Sequence, residues 1–469
     1  FNSGATGNRH TRQNYYTVFG QDEWRAASNL TLNYGLRYDY YTPMKEVDNR
    51  IVKFNIMTGQ LDPNTTDIVS SKKNSLQPRL SATWAPGKTV VKGGFGVFVG
   101  PGQGEDLIQP IESDRVGTTI SSGASLAFPL NQDAAVANFT NNPTNRNFQP
   151  RAYAQEYNIP ERVYQYTGSV QRDLGGSFSA SAAFVGAEGR NLFLRSVANN
   201  ITQVITNPNP TSAALVVREF SVVTRDAAGN VTGVQNPYAE VDFKTSGGHS
   251  TYKALMFGLT RRASKGISAS VQYTLGRSRG TSGGSNEANT AANSARTLEQ
   301  FEYENGYNNF DVRHTFNASL IYDLPYKGDG LPGAVLGNWQ VGGILNARSG
   351  LPLPVQIVRP DVLYQDSASG LYYANPAAGR VAVINTPRGG ASRNVRRPDL
   401  VPGADPYITD GGLLFLNPAA FAAPLPGTYG NLERNVLRGP GFVQTDLFLS
   451  KRVQVNRRNI ELRVEVFNP

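Results

Sequence analysis

The chain has 469 residues, of which 45 are Lys or Arg and 36 are Asp or Glu, and its net charge is +9. It contains no cysteine, which excludes a disulfide framework, a thiol nucleophile and a cysteine-ligated zinc site within it. The basic residues are scattered, with only short clusters such as Arg457-Arg458, so the sequence does not indicate a nucleic-acid-binding stripe.

The first predicted element is a hairpin from Tyr15 to Tyr41 that turns at Ala26-Ala-Ser28. In its second arm, from Asn29 to Tyr40, Leu and Tyr alternate with polar residues, which gives one apolar and one polar face. The arm has the length of about 9–11 residues that a tilted strand needs to cross a bilayer. Tyrosines gather at one end, as in an aromatic girdle. Alone, this hairpin fits a long strand of a soluble sandwich equally well.

Five further hairpins with the same alternation follow along the chain. They pair Arg79–Pro86 with Thr89–Val99, Val163–Leu174 with Ser177–Val185, Thr251–Arg262 with Ile267–Arg277, Phe310–Asp323 with Trp339–Ala347, and Phe442–Val453 with Ile460–Phe467. Short links such as Gly87-Lys88, Gly175-Gly176 and Ala263–Gly266 join the arms, whereas a Pro/Gly-rich link joins the fifth pair.

Long stretches rich in Gly, Asn and Pro separate the hairpins. They are Thr42–Gln77, Gly100–Arg162, Gly186–Ser250, Ser278–Asn309 and Arg348–Pro440, and they are predicted to be structureless loops. A soluble domain seldom carries such loops. The alternation of short and long connections is typical of outer-membrane barrels, with short periplasmic turns and long extracellular loops. The predicted fold class is therefore an all-β, antiparallel transmembrane barrel.

The two faces of the strands predict two environments. Charged residues such as Arg37, Asp39 and Glu461 belong to the polar face and suit a water-filled lumen, because a sandwich core would penalise them. The apolar face needs lipid or a second sheet, and we expect it to face lipid at Leu30, Leu32, Leu36, Val271, Tyr273, Leu462 and Val464. About twelve strands are expected, with open sheet edges near Tyr16 and Val464.

Both ends of the sequence are interpreted as internal to a longer protein. Phe1-Asn-Ser-Gly4 has no basic region and no apolar core of a secretory signal, and Arg463–Pro469 ends just as its strand finishes. Residues 1–469 are thus predicted to form one barrel domain, truncated at both ends, without a plug domain or a signal peptide.

Several motifs also resemble a known family. Phe19-Gly-Gln-Asp-Glu-Trp24, followed by Leu30-Thr-Leu-Asn-Tyr-Gly-Leu-Arg-Tyr38, resembles the barrel of TonB-dependent outer-membrane receptors. Further motifs are similar to the Oar-like subgroup of these receptors: Asn309-Phe-Asp-Val-Arg-His-Thr-Phe316, Tyr322-Asp-Leu-Pro325, Gly337-Asn-Trp-Gln-Val-Gly-Gly343, Ser349-Gly-Leu-Pro352, Leu437-Arg-Gly-Pro-Gly-Phe442, Asp446 and Ser450-Lys-Arg452. The resemblance covers essentially the whole chain.

The resemblance implies a barrel of about 22 strands with a plug inside, driven by TonB and the proton-motive force. The sequence departs from that pattern, because it lacks a recognisable plug, a TonB box, an N-terminal carboxypeptidase-regulatory-like domain and a terminal strand ending in an aromatic residue. About twelve strands would be just over half of the wall. We therefore expect that this chain alone transports nothing.

Candidate catalytic residues are few. His10, His249 and His314 lie far apart and form no metal-binding H-E-x-x-H pattern. His314, with Arg313 and Asp311, is interpreted as a charged structural corner, with a ligand contact as the alternative. Gly280-Thr-Ser-Gly-Gly284 fits the G-x-S-x-G pattern but lies in loop sequence, where a nucleophile elbow is not expected.

Two other patterns permit a functional or a structural reading. Gly93-Gly-Phe-Gly96 and Gly100-Pro-Gly-Gln-Gly104 do not complete a dinucleotide-binding motif and more plausibly mark strand kinks. Glu299, Glu302, Glu304 and Asp311 could supply oxygen ligands to calcium, but a solvated loop is the favoured interpretation. No catalytic, cofactor-binding or metal-binding residue is therefore assigned.

The leading hypothesis is a TonB-dependent outer-membrane transporter for an oligosaccharide, a peptide or a metal chelate. Its expected partners are outer-membrane lipid, lipopolysaccharide, TonB acting through the plug, and an extracellular substrate. An adhesin or cell-surface assembly protein and a barrel enzyme remain as alternatives. Substrate contacts are expected in the long loops, which carry Asn141-Asn142, Tyr364, Tyr372 and Tyr373, although no site can be named there.

Overall fold

Twelve long antiparallel strands form one sheet, which we call the wall. The computed structural model describes residues 2–3, 10–63, 67–101, 116–117, 150–154, 157–238, 241–282, 301–326, 328, 330–387, 396–408, 415–455 and 458–468. The wall strands are β1 (Tyr15–Ala27), β2 (Leu30–Tyr41), β3 (Leu76–Trp84), β4 (Thr89–Gly100), β5 (Glu161–Gly175), β6 (Phe178–Ala198), β7 (Val241–Ser264), β8 (Ile267–Gly280), β9 (His314–Asp323), β10 (Trp339–Arg348), β11 (Phe442–Val455) and β12 (Arg458–Phe467).

Each wall strand pairs with its neighbour in the chain, and all six predicted hairpins are confirmed. Connections after odd-numbered strands therefore lie at one end of the wall, the turn rim, and connections after even-numbered strands lie at the other, the loop rim. The β7–β8 turn is only Lys265-Gly266, and both residues have positive φ, as a tight two-residue hairpin turn requires. The prediction that short turns share one rim is also confirmed.

The pairing register sorts the side chains of the whole wall into two faces. Tyr34 lies opposite Leu80, which lies opposite Phe95, and at the far end Leu449 lies opposite Val464. Because opposed residues point to the same side of a sheet, these positions share one mainly apolar face, which also carries Asp22 opposite Tyr34 and Lys253 opposite Arg277. The same register places all seven predicted outward residues on that face: Leu30, Leu32, Leu36, Val271, Tyr273, Leu462 and Val464.

Two wall strands are longer than predicted. β6 and β7 continue beyond the predicted ends at Val185 and Thr251 and stay paired as far as Ala198 opposite Val241. Register shifts near Leu192 interrupt the alternation there, and Asn191 has a positive φ. The two strands therefore project into the loop rim. The wall path runs from β1 to β12, and among the described residues no pairing joins these two edge strands, as expected.

The prediction that the long loops are structureless is wrong for their described parts. They contain short strands, two 3₁₀ turns and a core of their own, because their scattered apolar residues pack together. The loop strands are Met44–Glu46, Val52–Asn55, Gln60–Pro63, Asp67–Ser71, Arg151–Tyr153, Asn158–Ile159, Ile201–Ile205, Leu215–Arg218, Val222–Arg225, Val231–Gln235, Gly306–Tyr307, Pro352–Leu353, Val362–Asp366, Tyr372–Tyr373, Arg380–Ile384, Asp399–Leu400, Phe421–Ala422 and Leu437–Arg438. Thr11–Arg12, before β1, pairs with Met44–Glu46. The pair Asn2–Ser3 and Val116–Gly117 is separate, and the 3₁₀ turns are Phe301–Glu304 and Pro418–Ala420.

One short helix, α1 (Gly330–Leu336), lies at the turn rim between β9 and β10. The sequence predicted only a Pro/Gly-rich link there. In the part of the chain that the structure describes, no helix is both long enough and apolar enough to cross a membrane.

Candidate functional site

The polar face of the wall borders a cavity of about 960 Å³ near β1 to β7. Its lining includes charged and amide side chains such as Glu23, Arg37, Arg79 and Gln165, all of which the register places on the polar face. The Arg79 guanidinium lies 4.7 Å from the ring centre of Phe98. Such a surface can be wetted and can contact a polar solute.

Asp39 gathers the polar groups at the loop end of this face. The Thr17 hydroxyl donates to its Oδ1 at 2.7 Å, and Nε of Arg37 donates at 2.9 Å. Gln77 Nε2 donates to the other carboxylate oxygen at 2.5 Å. Only 2% of Asp39 is exposed, so these partners provide the compensation that a buried carboxylate needs.

The loop rim carries the main hydrophobic core of the described chain, which we call the first loop lobe. Four segments contribute to it: the loop after β2, the chain before β5, and the projecting ends of β6 and β7. The ring centre of Phe54 lies 5.0 Å from that of Tyr238 and 5.6 Å from that of Phe220, both in edge-on geometry. The buried members are Tyr41, Met44, Ile51, Phe54, Val69, Ala152, Ala154, Tyr157, Ile159, Phe193, Ala198 and Val241.

Glu46 holds one edge of the first loop lobe. Its carboxylate accepts hydrogen bonds from the backbone amides of Arg50 at 2.6 Å, His10 at 3.0 Å and Asp48 at 3.0 Å. Burial alone would raise the pKa of Glu46, but these amides favour the charged form and hold the pKa below its ordinary value. Glu46 thereby ties the segment before β1 to the loop after β2.

A second assembly at the loop rim, which we call the rim corner, unites three of the sequence motifs. Arg438 forms an ion pair with Asp311 and donates to the Asp311 carbonyl at 2.9 Å. The amides of Arg313 and His314 both donate to Ser349 Oγ at 3.0 Å. Loop residues 127 positions apart therefore close over the ends of β8 to β11.

Glycine is required at one point of the rim corner. A Cβ at Gly350 would overlap the carbonyl oxygen of Gly439, so the two backbones pack directly against each other. Asp311 also accepts a hydrogen bond from the Ser278 amide, at the end of β8. Three sequence motifs therefore contribute to the same assembly, the rim corner. They are Asn309-Phe-Asp-Val-Arg-His-Thr-Phe316, Ser349-Gly-Leu-Pro352 and Leu437-Arg-Gly-Pro-Gly-Phe442.

Two further arginines extend the rim corner into the last long loop. Arg397 pairs with Glu304 at 2.6 Å, and both side chains are buried. Arg397 also donates to the carbonyls of Tyr303 and Leu432 at 2.6 and 2.8 Å. Arg434 donates to the carbonyls of Gly280 and Thr281, and burial lowers its pKa to about 10.

Two loops touch each other at the rim. The Tyr364 hydroxyl accepts from the amide of Ala214 at 3.0 Å, and Thr206 Oγ1 accepts from the amide of Ala382 at 2.8 Å. The Val362–Ile384 hairpin therefore leans on the loop after β6. Its tip leaves Tyr372 and Leu371 exposed to solvent.

The three histidines have different partners. His249 Nε2 lies 2.9 Å from Glu302, and His314 Nδ1 lies 2.7 Å from the hydroxyl of Tyr273. His10 Nδ1 lies 3.9 Å from Asp48. The expected charged corner exists at Asp311, where the cationic partner is Arg438, and the backbone amides of Arg313 and His314 join the corner through Ser349.

The glycines of the two candidate motifs have structural roles at the positions that the structure describes. Gly93, Gly94 and Gly96 lie inside β4, and the Phe98 ring occupies the space beside Gly96. Gly280 ends β8, where a Cβ would overlap the His249 carbonyl oxygen. Ser282 Oγ donates to the Phe193 carbonyl at 3.4 Å, while Gly283 and Gly284 lie outside the described residues.

The three described acidic residues of the possible calcium site each have a different basic partner. Glu302 contacts His249, Glu304 contacts Arg397, and Asp311 contacts Arg438. Among the described residues no group of three acidic or histidine side chains is placed to hold a metal. Glu299, Gly102–Gly104, Asn141-Asn142 and most of the predicted loop Gly100–Arg162 lie outside the described residues.

Sequence reasoning missed the arginine partners of the rim corner. Arg438 lies inside a quoted motif, but nothing in the local pattern indicates that its partner is Asp311, which lies far away in the chain. Arg397 and Arg434 lie in no motif. The only indication of these two residues in the sequence is that arginines recur in a loop rich in Gly and Pro.

Comparisons with known proteins agree with the architecture. A family model described as an outer membrane beta barrel domain matches residues 2–469. None of the curated proteins matches the sequence.

Solved structures with a similar path include three outer-membrane proteins. The FrpB iron transporter from Neisseria meningitidis is 12% identical with a TM-score of 0.40, and the alignment covers 98% of this chain and 41% of that one. The outer membrane transporter YddB from Escherichia coli is 11% identical with a TM-score of 0.43, covering 97% and 41%. The ferripyoverdine receptor of Pseudomonas aeruginosa is 9% identical with a TM-score of 0.39, covering 99% and 35%. The chain spans about two fifths of the length of the first two structures and about a third of the length of the ferripyoverdine receptor.

Proposed function

The chain belongs to the outer membrane beta barrel domain family, and on that premise we propose that it forms part of the wall and the mouth of a TonB-dependent transporter. The protein lies in the bacterial outer membrane, with its apolar face in contact with lipid. The proposed cargo is a large nutrient, either an oligosaccharide, a peptide or a metal chelate. The proposed subgroup is Oar-like.

The observation that carries this proposal is the rim corner. Three motifs that resemble TonB-dependent receptors are separated along the chain, yet they meet through Asp311, Ser349 and Arg438. Three unrelated chance matches to the family would not be expected to meet in one assembly of contacts.

The described residues favour binding over catalysis. The polar cavity offers charged and amide groups to a solute, and the loop rim presents a packed surface above it. The histidines engage Glu302, Tyr273 and Asp48 instead of a serine or threonine hydroxyl. We propose that residues 1–469 form a single barrel domain, that the protein is not an enzyme, and that TonB acts on it through a plug.

The test is uptake by cells that carry the full-length gene. Labelled oligosaccharides, peptides and ferric chelates are supplied to the wild type, to a gene deletion and to a tonB deletion. We expect one class of compound to accumulate only when both genes are intact. Accumulation that is indifferent to tonB, or cell attachment that changes without any change in uptake, would instead favour the adhesin or surface-assembly alternative.

A further inference from the structure

Helix α1 exposes an apolar surface at the turn rim. Leu331, Val335 and Leu336 are 81, 59 and 54% exposed, and no charged residue occurs between Gly330 and Leu336. Leu331 and Val335 are four residues apart and therefore share one side of the helix. This surface is distinct from the loop rim and from the polar cavity.

The contacts of α1 place it on the apolar side of the wall. Trp339 Nε1 donates to the Val335 carbonyl at 2.9 Å, and Lys451 Nζ donates to the same carbonyl at 2.7 Å. Trp339 and Lys451 lie opposite each other in the β10–β11 register, on the same face as Val341 and Leu449. The end of α1 therefore rests against the face that contacts lipid.

These contacts also satisfy the polar groups at the end of the helix. Lys451 donates a further hydrogen bond to the Gly337 carbonyl at 3.0 Å, and its ammonium lies 4.9 Å from the Trp339 ring centre. Terminal carbonyls of a helix otherwise require water or another donor. With Lys451 and Trp339 as donors, this end of α1 can lie where water is scarce.

The fold-back of α1 depends on glycine. A Cβ at Gly333 would overlap the Gly328 carbonyl oxygen, so only glycine lets the chain before the helix pack against it. The amide of Gly337 donates to the Gly333 carbonyl at 2.9 Å and closes the last turn. The connection is therefore built to hold a defined position.

We propose that α1 is a membrane-interface anchor, which inserts Leu331, Val335 and Leu336 into the phospholipid leaflet bordering the turn rim. The end of α1 rests on Trp339 and Lys451, which share the lipid-facing side of β10 and β11 with Val341 and Leu449, and α1 itself carries no charge that a protein partner could recognise. Trp and Lys are residues that membrane proteins place at the boundary between headgroups and acyl chains. The occupant of this surface is lipid.

The experiment places a fluorophore at Leu331 in the full-length protein. The L331C variant is labelled with an environment-sensitive dye and folded into vesicles of phosphatidylethanolamine and phosphatidylglycerol, with or without bromine on the acyl chains. Lys265, in the β7–β8 turn at the same rim, gives the matched K265C control. Because both positions are exposed, labelling leaves the packing of the wall intact.

We expect the dye at position 331 to shift to shorter emission wavelength and to lose intensity with brominated lipid, whereas the dye at 265 does neither. Equal quenching of both dyes by aqueous iodide, with no effect of brominated lipid at 331, would overturn the anchor. Protection of position 331 from aqueous iodide with no response to brominated lipid would overturn it as well, because the dye would then be covered by protein and not by lipid. Heat-modifiable migration in gels confirms that each labelled protein is folded.

Discussion

Asp311 shows how one carboxylate can hold several distant segments together. It is 2% exposed and is contacted by Arg438 and by the amide of Ser278. An isolated charge buried to this extent would be strongly unfavourable, so each partner matters more than a surface ion pair does. The same logic applies to Glu304 with Arg397, which are also buried.

Replacing Asp311 tests this dependence. D311N should destabilise the loop rim by about 3–5 kcal/mol, because it leaves the Arg438 charge without its counter-ion. The measurement is urea unfolding of the full-length protein, followed by proteolysis of the last long loop. E433Q is the control, since the Arg279–Glu433 pair at 3.3 Å is more exposed and should contribute about 0–1 kcal/mol. Equal midpoints for D311N and E433Q would contradict the assignment.

Glu46 makes the first loop lobe sensitive to acid. Its folded pKa lies below its ordinary value, so its contribution is complete at neutral pH and is lost as the pH falls through that lowered pKa. Hydrogen exchange at the amides of Arg50 and Asp48 should therefore accelerate, beyond the intrinsic rate, as the pH is lowered below the ordinary pKa of a glutamate and through the lowered pKa of Glu46. E46Q should exchange faster at neutral pH and show no such added acid response. An unchanged protection pattern in E46Q would exclude this role.

In a wall strand, neighbouring residues point to opposite sides of the sheet and therefore face different environments. In β8, Val271 lies on the apolar face and Gln272 lies on the polar face. The same alternation recurs in β2, where leucine and tyrosine alternate with polar residues, and in β12, where Ile460, Leu462 and Val464 alternate with charged residues. A single β-strand is therefore sufficient to test the sidedness of the whole wall.

Arginine substitutions in β8 provide that test. V271R should lower the free energy of unfolding in bilayers by about 2–4 kcal/mol if it lies near the midplane, because it places a charge in hydrocarbon. V464R should have the same effect in β12 for the same reason. Q272R should be nearly neutral, since water reaches its side of the wall. Equal losses in V271R and Q272R would reverse or abolish the assigned faces.

Most of the wall could be predicted from sequence, because each strand carries its own alternation and each hairpin its own turn. The extensions of β6 and β7 could not, since Asn191 and the shifts around Leu192 break the alternation. The first loop lobe, which contains Phe54 and Phe220, could not be predicted either. Its apolar residues are sparse in each loop and come together only in the folded protein. Ion pairs between residues far apart in the chain, such as Arg397–Glu304, leave no local sequence pattern from which they could be predicted.

At the scale of the whole molecule, the loops form a packed mouth over a polar wall. The lobe around Phe54 and the rim corner each join several connections, and contacts from Tyr364 and Thr206 link two of the loops. A mouth with this internal packing can present a surface of constant shape. We therefore retain the prediction that the loop rim makes the first contact with substrate.

Shortening one hairpin tests the capture of substrate. The Ser367 amide donates to the Gly379 carbonyl at 2.9 Å, so removal of residues 368–378 leaves two ends that already lie together. We expect weaker binding of the transported compound to whole cells, because exposed Tyr372 and Leu371 are lost. The control is the substitution K265G in the β7–β8 turn at the opposite rim, which leaves every loop at its full length. Unchanged binding across this deletion and matching deletions in the other long loops would place the contacts elsewhere.

The rim corner has a consequence for the order of folding. Every wall pairing joins strands that are adjacent in the chain, whereas Arg438 reaches a partner 127 positions away. Closing such a large loop costs more chain entropy than forming a hairpin, so nearby pairings should form first. Newly inserted protein would thus pass through a stage in which the hairpins have formed but Arg438 has not yet reached Asp311, because the β10–β11 pairing must itself close the last long loop. Proteases outside the cell would distinguish that stage by cleaving the last long loop before Asp311 and Arg438 meet.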